Sequence, residues 1–275
     1  MRMARHLGFS VIAATFAAVL PAFPLAPGTT PAEQARVRQV LERGNLIYAY
    51  DQVAWHGTDD MRAKLKDAEA KVGGWIADGP ASGPELVFFD KDPSDPKALY
   101  VARFKSDGSI SGKVLGDGDD RSLSAERKRL IAAQRTARES LDPKRAQPCS
   151  SRPFNTIVLP PETPGGPVLV YFLTPQTDSD AIPFGGHYLV EVSPEGKAGP
   201  TRRFTKSCLD MPFRKAGVPA PAAIGVSHLL DPVPTEIHVF SSLAARLPVM
   251  VMATKKKVWM VAGDRIRPID PDAVR

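Results

Sequence analysis

The first periodic stretch after the N-terminus predicts a helix from Pro31 to Arg43. Its apolar residues Val37, Val40 and Leu41 fall on one side. Pro at the first helical position and Gly44 after the last one are both typical of helix boundaries. We therefore expect this helix to end at Gly44. Residues 45–51 then alternate in a way that favours a short strand.

The segment AWHGTDDM, residues 54–61, places a histidine and two aspartates beside a tryptophan. Thr58 is a favourable N-cap, and Asp59 and Asp60 would fall in the first turn, where carboxylates stabilise the positive end of the helix dipole. Apolar residues follow at helical spacing, namely Met61, Leu65, Ala68 and Val72. The pattern predicts a second helix that begins near Thr58 and leaves only His56 without a structural role.

From Gly73 onwards the pattern is typical of short strands, interrupted by one helix predicted from about Ser122 to Leu141. Residues 106–109, SDGS, favour a hairpin turn. The C-terminal part predicts five further strands, with the sequences IGVSHLL, TEIHVFSS, PVMVMAT, KVWMVAG and RIRPI. Val249 to Met252 and Val258 to Val261 are apolar on both faces, so we expect these two strands to be central and covered.

Two stretches of the chain resemble each other. GPELVFF at residues 83–89 matches GPVLVYF at 166–172, and a strand, acidic-Gly turn and return strand follow in both copies. This indicates a tandem repeat of one helix plus about four strands. The predicted fold class is α+β, dominated by antiparallel sheet. We expect an N-terminal α+β unit at 29–145 and a C-terminal β-rich unit at 146–275, packed together as one compact body.

The first 28 residues have the features of a secretory signal peptide. Arg2 and Arg5 precede an uncharged stretch of about 14 residues, which is shorter than the roughly 20 that a membrane-spanning helix needs. Cleavage is expected before Thr29, with a weaker alternative after Ala22, and an uncleaved anchor remains a second interpretation. We therefore expect a periplasmic or secreted protein.

Export decides how the two cysteines are interpreted. In an oxidising compartment a lone pair favours a disulfide, here Cys149 with Cys208. The alternative, a catalytic thiol, has no recognisable local signature in the sequence.

Charge adds one candidate surface. The whole chain has a formal net charge of +6, which falls to about +4 without Arg2 and Arg5 and does not indicate a nucleic-acid partner. The segment 121–145 is strongly basic, and a helix there could meet an anionic envelope surface. The alternative is an ordinary solvated face. The side chains expected to make this contact are Arg127, Lys128, Arg135 and Arg138.

The remaining candidates for chemistry are histidines. His187 follows Gly185 and Gly186, which would let a ligand approach closely, and Tyr188 begins the next strand. Because Tyr188 should face the core, His187 should point away from it, either toward a ligand or simply toward solvent. The spacings of His56, His187, His228 and His238 do not match a zinc motif, so no metal or other cofactor is expected.

These patterns lead to three hypotheses. The leading one is an exported, soluble bacterial envelope protein that binds an envelope protein or a small ligand, with Gly185, Gly186, His187 and Tyr188 as the binding residues. The second is a hydrolase that uses His187 or His56 as general base, with Asp59 or Asp60 nearby; the motifs of the common exported hydrolases are absent from the sequence. The third is a peripheral protein held to the envelope by its basic helix.

Overall fold

The computed structural model describes residues 29–105, 108–214, 217–219, 221–254 and 257–269. The predicted signal peptide lies outside this range, as do Ser106 and Asp107 of the predicted hairpin turn. Within the described part there are four helices and fourteen strands, and all strand pairs but one are antiparallel. The predicted α+β class is therefore confirmed.

The N-terminal helix α1 is continuous from Pro31 to Lys64. It begins with a capping box in which Thr30 and Glu33 exchange hydrogen bonds between side chain and backbone. The predicted break at Gly44, the strand at 45–51 and the helix start near Thr58 are all wrong. The hydroxyl of Thr58 does not cap a helix but donates to the carbonyl of Ala54 one turn earlier, at 2.6 Å.

The two glycines inside α1 mark close contacts rather than helix ends. A Cβ on Gly44 would lie 2.4 Å from Cβ of Val239, and one on Gly57 would lie 2.2 Å from Cδ2 of Leu86. Neither neighbour could approach so near if these positions had a side chain. Close packing across α1 therefore explains why glycine occupies positions where it lowers helix propensity.

A four-stranded antiparallel meander follows a short helix, α2 (Ala68–Lys71). Its strand order is β1-β2-β3-β4, and α1 packs on one of its faces. Residues on the other face form a second buried cluster with α3 (Ala125–Ser140), which begins at the N-cap Ser124. The four strands are β1 (Val72–Asp78), β2 (Glu85–Asp90), β3 (Ala98–Phe104) and β4 (Ile110–Val114).

The second sheet has the order β5-β6-β8-β9 and shares both of these clusters with the first. Its strands are β5 (Asn155–Leu159), β6 (Val168–Leu173), β8 (Tyr188–Val192) and β9 (Arg202–Arg203), and a separate pair is formed by β7 (Ala181–Pro183) with β10 (Asp210–Pro212). The two similar sequence stretches overlap β2 and β6, which are each the second strand of their sheet. The duplication itself stays a prediction.

The third sheet has the order β11-β12-β13-β14, and its β11–β12 pair is parallel. The strands are β11 (Ile224–Ser227), β12 (Val249–Met252), β13 (Val258–Ala262) and β14 (Arg265–Ile269). The central placement of β12 and β13 agrees with the sequence. Buried and less buried residues alternate along both strands, however, so the prediction that both faces of these strands are covered by other elements is wrong. Val249 and Val251 are buried, whereas Met252 is exposed.

The segment TEIHVFSS, expected as a strand, forms helix α4 (Glu236–Ala245) instead. Every residue from 236 to 242 is buried. A helix surrounded on all sides has no polar face, so its sequence lacks the periodicity that separates helix from strand. The helix α4 crosses α1 at Gly44, where the contact with Val239 brings the two backbones together.

Cys149 and Cys208 form the predicted disulfide, with their Cα atoms 5.4 Å apart. It ties the chain between α3 and β5 to the segment before β10. No helix within the described residues has the length and hydrophobicity needed to cross a bilayer.

Candidate functional site

His187 is buried beside the disulfide and does not point away from the core, so the expected orientation is wrong. Its Nδ1 accepts from the backbone N–H of Thr174 at 3.2 Å, and its Nε2 lies 3.0 Å from the carbonyl oxygen of Pro183. Burial lowers its pKa to about 4, so this imidazole is neutral at physiological pH. Both ring nitrogens join backbone segments to each other, which is a structural task.

Gly185 and Gly186 are buried at the same place. A Cβ on Gly186, whose φ is +72°, would lie 2.6 Å from the sulfur of Cys149. A Cβ on Gly185 would lie 2.7 Å from Cα of Cys208. The close approach that these glycines permit is therefore made by the disulfide segments. Tyr188 is also buried, so neither it nor His187 presents an open surface to a ligand. The binding role of this loop stays a prediction.

His56 lies in a different part of the molecule, on the exposed surface of α1. Its ring stacks on Trp55 at 4.9 Å and meets the edge of Phe104 at 5.8 Å. The carboxylate of Asp60 accepts from the hydroxyl of Tyr100 at 2.5 Å and pairs with Lys64. Asp59 is exposed. These side chains and His187 are thus not brought together into one polar cluster.

Three of the four basic side chains predicted on α3 are engaged with the protein. Arg127 binds both oxygens of Asp78 and also contacts Glu85. Lys128 pairs with Asp95 at 2.6 Å, which lowers the pKa of that carboxyl to about 2. Arg135 donates to the carbonyl of Pro93. Arg138 is exposed. Acidic groups from the first sheet and its loops therefore offset the charges of Arg127 and Lys128.

Two other histidines meet near the start of α4. His228 is buried, and its Nε2 lies 2.9 Å from a carboxylate oxygen of Asp231, which also binds Arg202. The ring of His238 packs edge-on against His228 at 4.8 Å, and burial lowers its pKa to about 3. The cavity beside them measures about 10 Å³, which is room for roughly one water molecule. It does not accommodate a substrate.

No group of three or more metal-ligating side chains converges anywhere in the described ranges.

The larger opening, called here the Arg43 pocket, has a volume of about 530 Å³. It lies between α1, the loop after β1 and the connected ends of β5 and β6. Its wall is mostly apolar, with Arg43 and Glu162 as a salt-bridged pair and Glu42 as a further, exposed acid. The lining residues are Leu41, Glu42, Arg43, Asn45, Leu46, Ala81, Leu159, Pro160, Glu162 and Leu169.

The Arg43 guanidinium is held between two carboxylates. Its Nε donates to Oε1 of Glu162 at 2.6 Å, and its Nη1 lies 3.7 Å from Oε1 of Glu236. Burial by itself would lower the pKa of Arg43, but the hydrogen bond to Glu162 and the neighbouring charges raise it above its ordinary value. The same contact lowers the pKa of Glu162. Both groups are therefore ionised at neutral pH.

Glu236 stands behind Arg43 and is completely buried. Its Oε1 accepts from the hydroxyl of Tyr171 at 2.9 Å, and its Oε2 lies 3.7 Å from Nη2 of Arg36 without a hydrogen-bond partner among the described atoms. Burial and the charge of Glu236 raise the pKa of Tyr171 well above its ordinary value, so this phenol keeps its proton. The Arg43 pocket therefore has a fixed anionic group behind its single buried cation.

We found no family model, curated protein or solved structure that matches the chain.

Sequence reasoning missed the residues of this pocket. Arg43 and Glu162 are far apart in the chain, and Glu236 follows a further six strands later, so no local motif joins them. The available signal was Gly44, because a glycine inside an amphipathic pattern also marks a close helix crossing. The sequence alone does not show that α4 is the helix that crosses α1 at Gly44; only the structure does.

Proposed function

We propose that this chain is an exported protein that binds a small, largely apolar molecule in the Arg43 pocket. The observation that supports this most directly is the combination of volume and lining. A pocket of about 530 Å³ falls within the range of small-molecule sites, about 300–1,000 Å³. Such sites are mostly apolar with a few placed polar groups, which is the composition found here.

The charged pair would supply orientation, and the apolar wall would supply affinity. Burying apolar surface contributes roughly 25 cal/mol per Å². A single salt-bridged guanidinium fixes where a polar end of the ligand can sit. Export is supported by the signal-like N-terminal sequence and by the disulfide, which persists in oxidising compartments.

The hydrolase alternative receives less support. His228 has the carboxylate partner that a general base commonly uses, but the cavity next to it is too small for a substrate. The peripheral-protein alternative depends on four basic side chains, two of which, Arg127 and Lys128, already have acidic partners. Both stay predictions, and binding in the Arg43 pocket is the function that we carry forward.

The test is binding of a neutral apolar fluorophore, N-phenyl-1-naphthylamine, to the mature protein. We expect saturable fluorescence enhancement that is lost in Ala81→Trp, because Ala81 lies at the exposed rim and an indole there would fill the pocket. The matched control is Ala222→Trp, at an exposed position that does not line the pocket. Equal binding by both variants, or none by the unmodified protein, would overturn the proposal.

A further inference from the structure

The contacts of Arg43 identify the chemistry of the ligand. We propose that the pocket takes an apolar molecule bearing one carboxylate, and that the Glu162 side chain occupies the place of that carboxylate when no ligand is bound. This inference rests on the function proposed above. It follows from the different ways in which the two carboxylates around Arg43 are held.

The inner carboxylate is fixed. The Glu236 side chain is 0% exposed, is bonded to Tyr171 and belongs to a buried helix. It cannot leave without placing an unpaired charge or an unpaired phenol in the core, and either costs several kcal/mol. Arg43, with a side chain only 10% exposed, is held against Glu236 by the α1–α4 crossing.

The outer carboxylate is free to move into water. The Glu162 side chain is 41% exposed and stands on the loop between β5 and β6. Its partners are Nε of Arg43 and the side-chain amide of Gln39, at 2.6 and 2.9 Å. Because the Glu162 end of this pair is open to water, hydration can replace its hydrogen bonds when the side chain turns outward, and Arg43 stays beside Glu236. Releasing Glu162 should therefore cost only about 1 kcal/mol.

The charge count then selects the ligand. Arg36 and Arg43 balance Glu162 and Glu236, so the group is neutral with Glu162 in place. When Glu162 turns outward the group has one excess positive charge, facing an apolar cavity. A single carboxylate restores neutrality and matches the planar guanidinium geometry. A cation would meet the excess charge of Arg43, and a doubly charged phosphate would leave one negative charge unbalanced.

The experiment compares decanoate with 1-decanol as competitors of N-phenyl-1-naphthylamine at neutral pH. In the unmodified protein decanoate should displace the probe at the lower concentration. Glu162→Gln removes the internal competitor and should tighten decanoate binding by up to about fivefold, which corresponds to about 1 kcal/mol. It should leave 1-decanol unchanged. Replacing Arg43 itself is avoided, because the buried Glu236 would then keep only Arg36 as a counter-charge, 3.7 Å from its other oxygen.

Glu42→Gln is the matched control, since Glu42 is an exposed glutamate that also lines the pocket. It should change decanoate affinity less than twofold. If Glu162→Gln leaves decanoate binding unchanged, or tightens decanoate and decanol equally, the ligand chemistry inferred here is wrong while pocket binding stands. If neither compound displaces the probe and the probe itself does not bind, the proposed function fails as well.

Discussion

The protein should lose stability in mild acid because two of its histidines are buried as neutral rings. The pKa of His187 is lowered to about 4 by burial, and that of His238 to about 3 by burial together with the nearby His228. In the unfolded chain both would titrate near the ordinary value of 6.5. Between these limits the unfolded chain binds more protons than the folded one. Stability is therefore complete above pH 6.5 and falls as the pH falls through this window.

The magnitude follows from the size of the window. A pH of about 5 lies about 1.5 units below the pKa of the histidines in the unfolded chain, and each unit corresponds to about 1.4 kcal/mol of unfolding free energy. Each ring therefore costs about 2 kcal/mol relative to about pH 7.5, and the two together about 4 kcal/mol. Asp51 acts in the opposite direction, because burial raises its pKa to about 6. Protonation of Asp51 between about pH 7.5 and about pH 5 stabilises the folded state by about 1.4 kcal/mol, so the net loss of stability from these three groups is about 2–3 kcal/mol.

Urea unfolding followed by tryptophan fluorescence at about pH 7.5 and about pH 5 measures this loss. The informative variant is His187→Gln, whose amide can accept from Thr174 and donate to Pro183 without titrating. Its loss between the two pH values should be smaller than that of the unmodified protein by about 2 kcal/mol. His56→Gln, at an exposed position, is the control and should keep the full loss. A His187→Gln protein with the same pH dependence as the unmodified one would refute the reasoning.

Three further predictions test the packing, the disulfide and the buried acid. Gly44→Ala should lower the melting temperature, because overpacking against Val239 costs about 1–3 kcal/mol or more and should exceed the helix-propensity gain of about 1 kcal/mol. An unchanged or higher melting temperature would contradict the close contact between α1 and α4 at this position. Cys149 and Cys208 are 59 positions apart in the sequence, and reduction of their disulfide should lower the free energy of unfolding by about 2–5 kcal/mol. Urea titrations with and without reductant measure this, and equal curves would exclude this role. Asp51→Asn should raise the free energy of unfolding at about pH 7.5 by about 1–3 kcal/mol and change it little at about pH 4. The pKa of Asp51 is raised in the folded state, so the stability that Asp51 contributes is lost as the pH rises from 3.8 through 6. Calorimetry that shows the gain at low pH instead would contradict this sign.

The sequence supported the fold class and most strands because half-buried strands leave a period-two pattern that local reading detects. It failed at α4 and at the middle of α1. Helix α4 is buried on all sides, so its apolar residues have no period. In α1 the residues Ile47, Tyr50, Val53 and Ala54 are buried with helical spacing, yet the aromatic and β-branched composition around them favours strand. Tertiary contacts decided both cases.

The candidate site was harder to predict than the fold. The disulfide pairing could be predicted because two cysteines allow one intramolecular pair. Burial of His187 could not, since its neighbours Gly185 and Gly186 are as typical of an open loop as of a close packing contact. The sequence also gave no indication that Arg43 would face two carboxylates, because those contacts join α1 to the distant β5–β6 loop and to α4.

The Arg43 pocket depends on the continuity of α1. A helix that ended at Gly44 would leave Arg43 at a frayed terminus, where its side chain could turn to solvent and Glu236 would lose one of its two cationic partners. Continuation through Gly44 instead fixes Arg43 one residue before the point where α1 touches Val239 of α4. The glycine that costs helix propensity thereby places a cation against a buried carboxylate at the edge of an apolar pocket. Gly44→Ala should consequently weaken probe binding as well as stability, whereas a packing change remote from the crossing should affect stability alone.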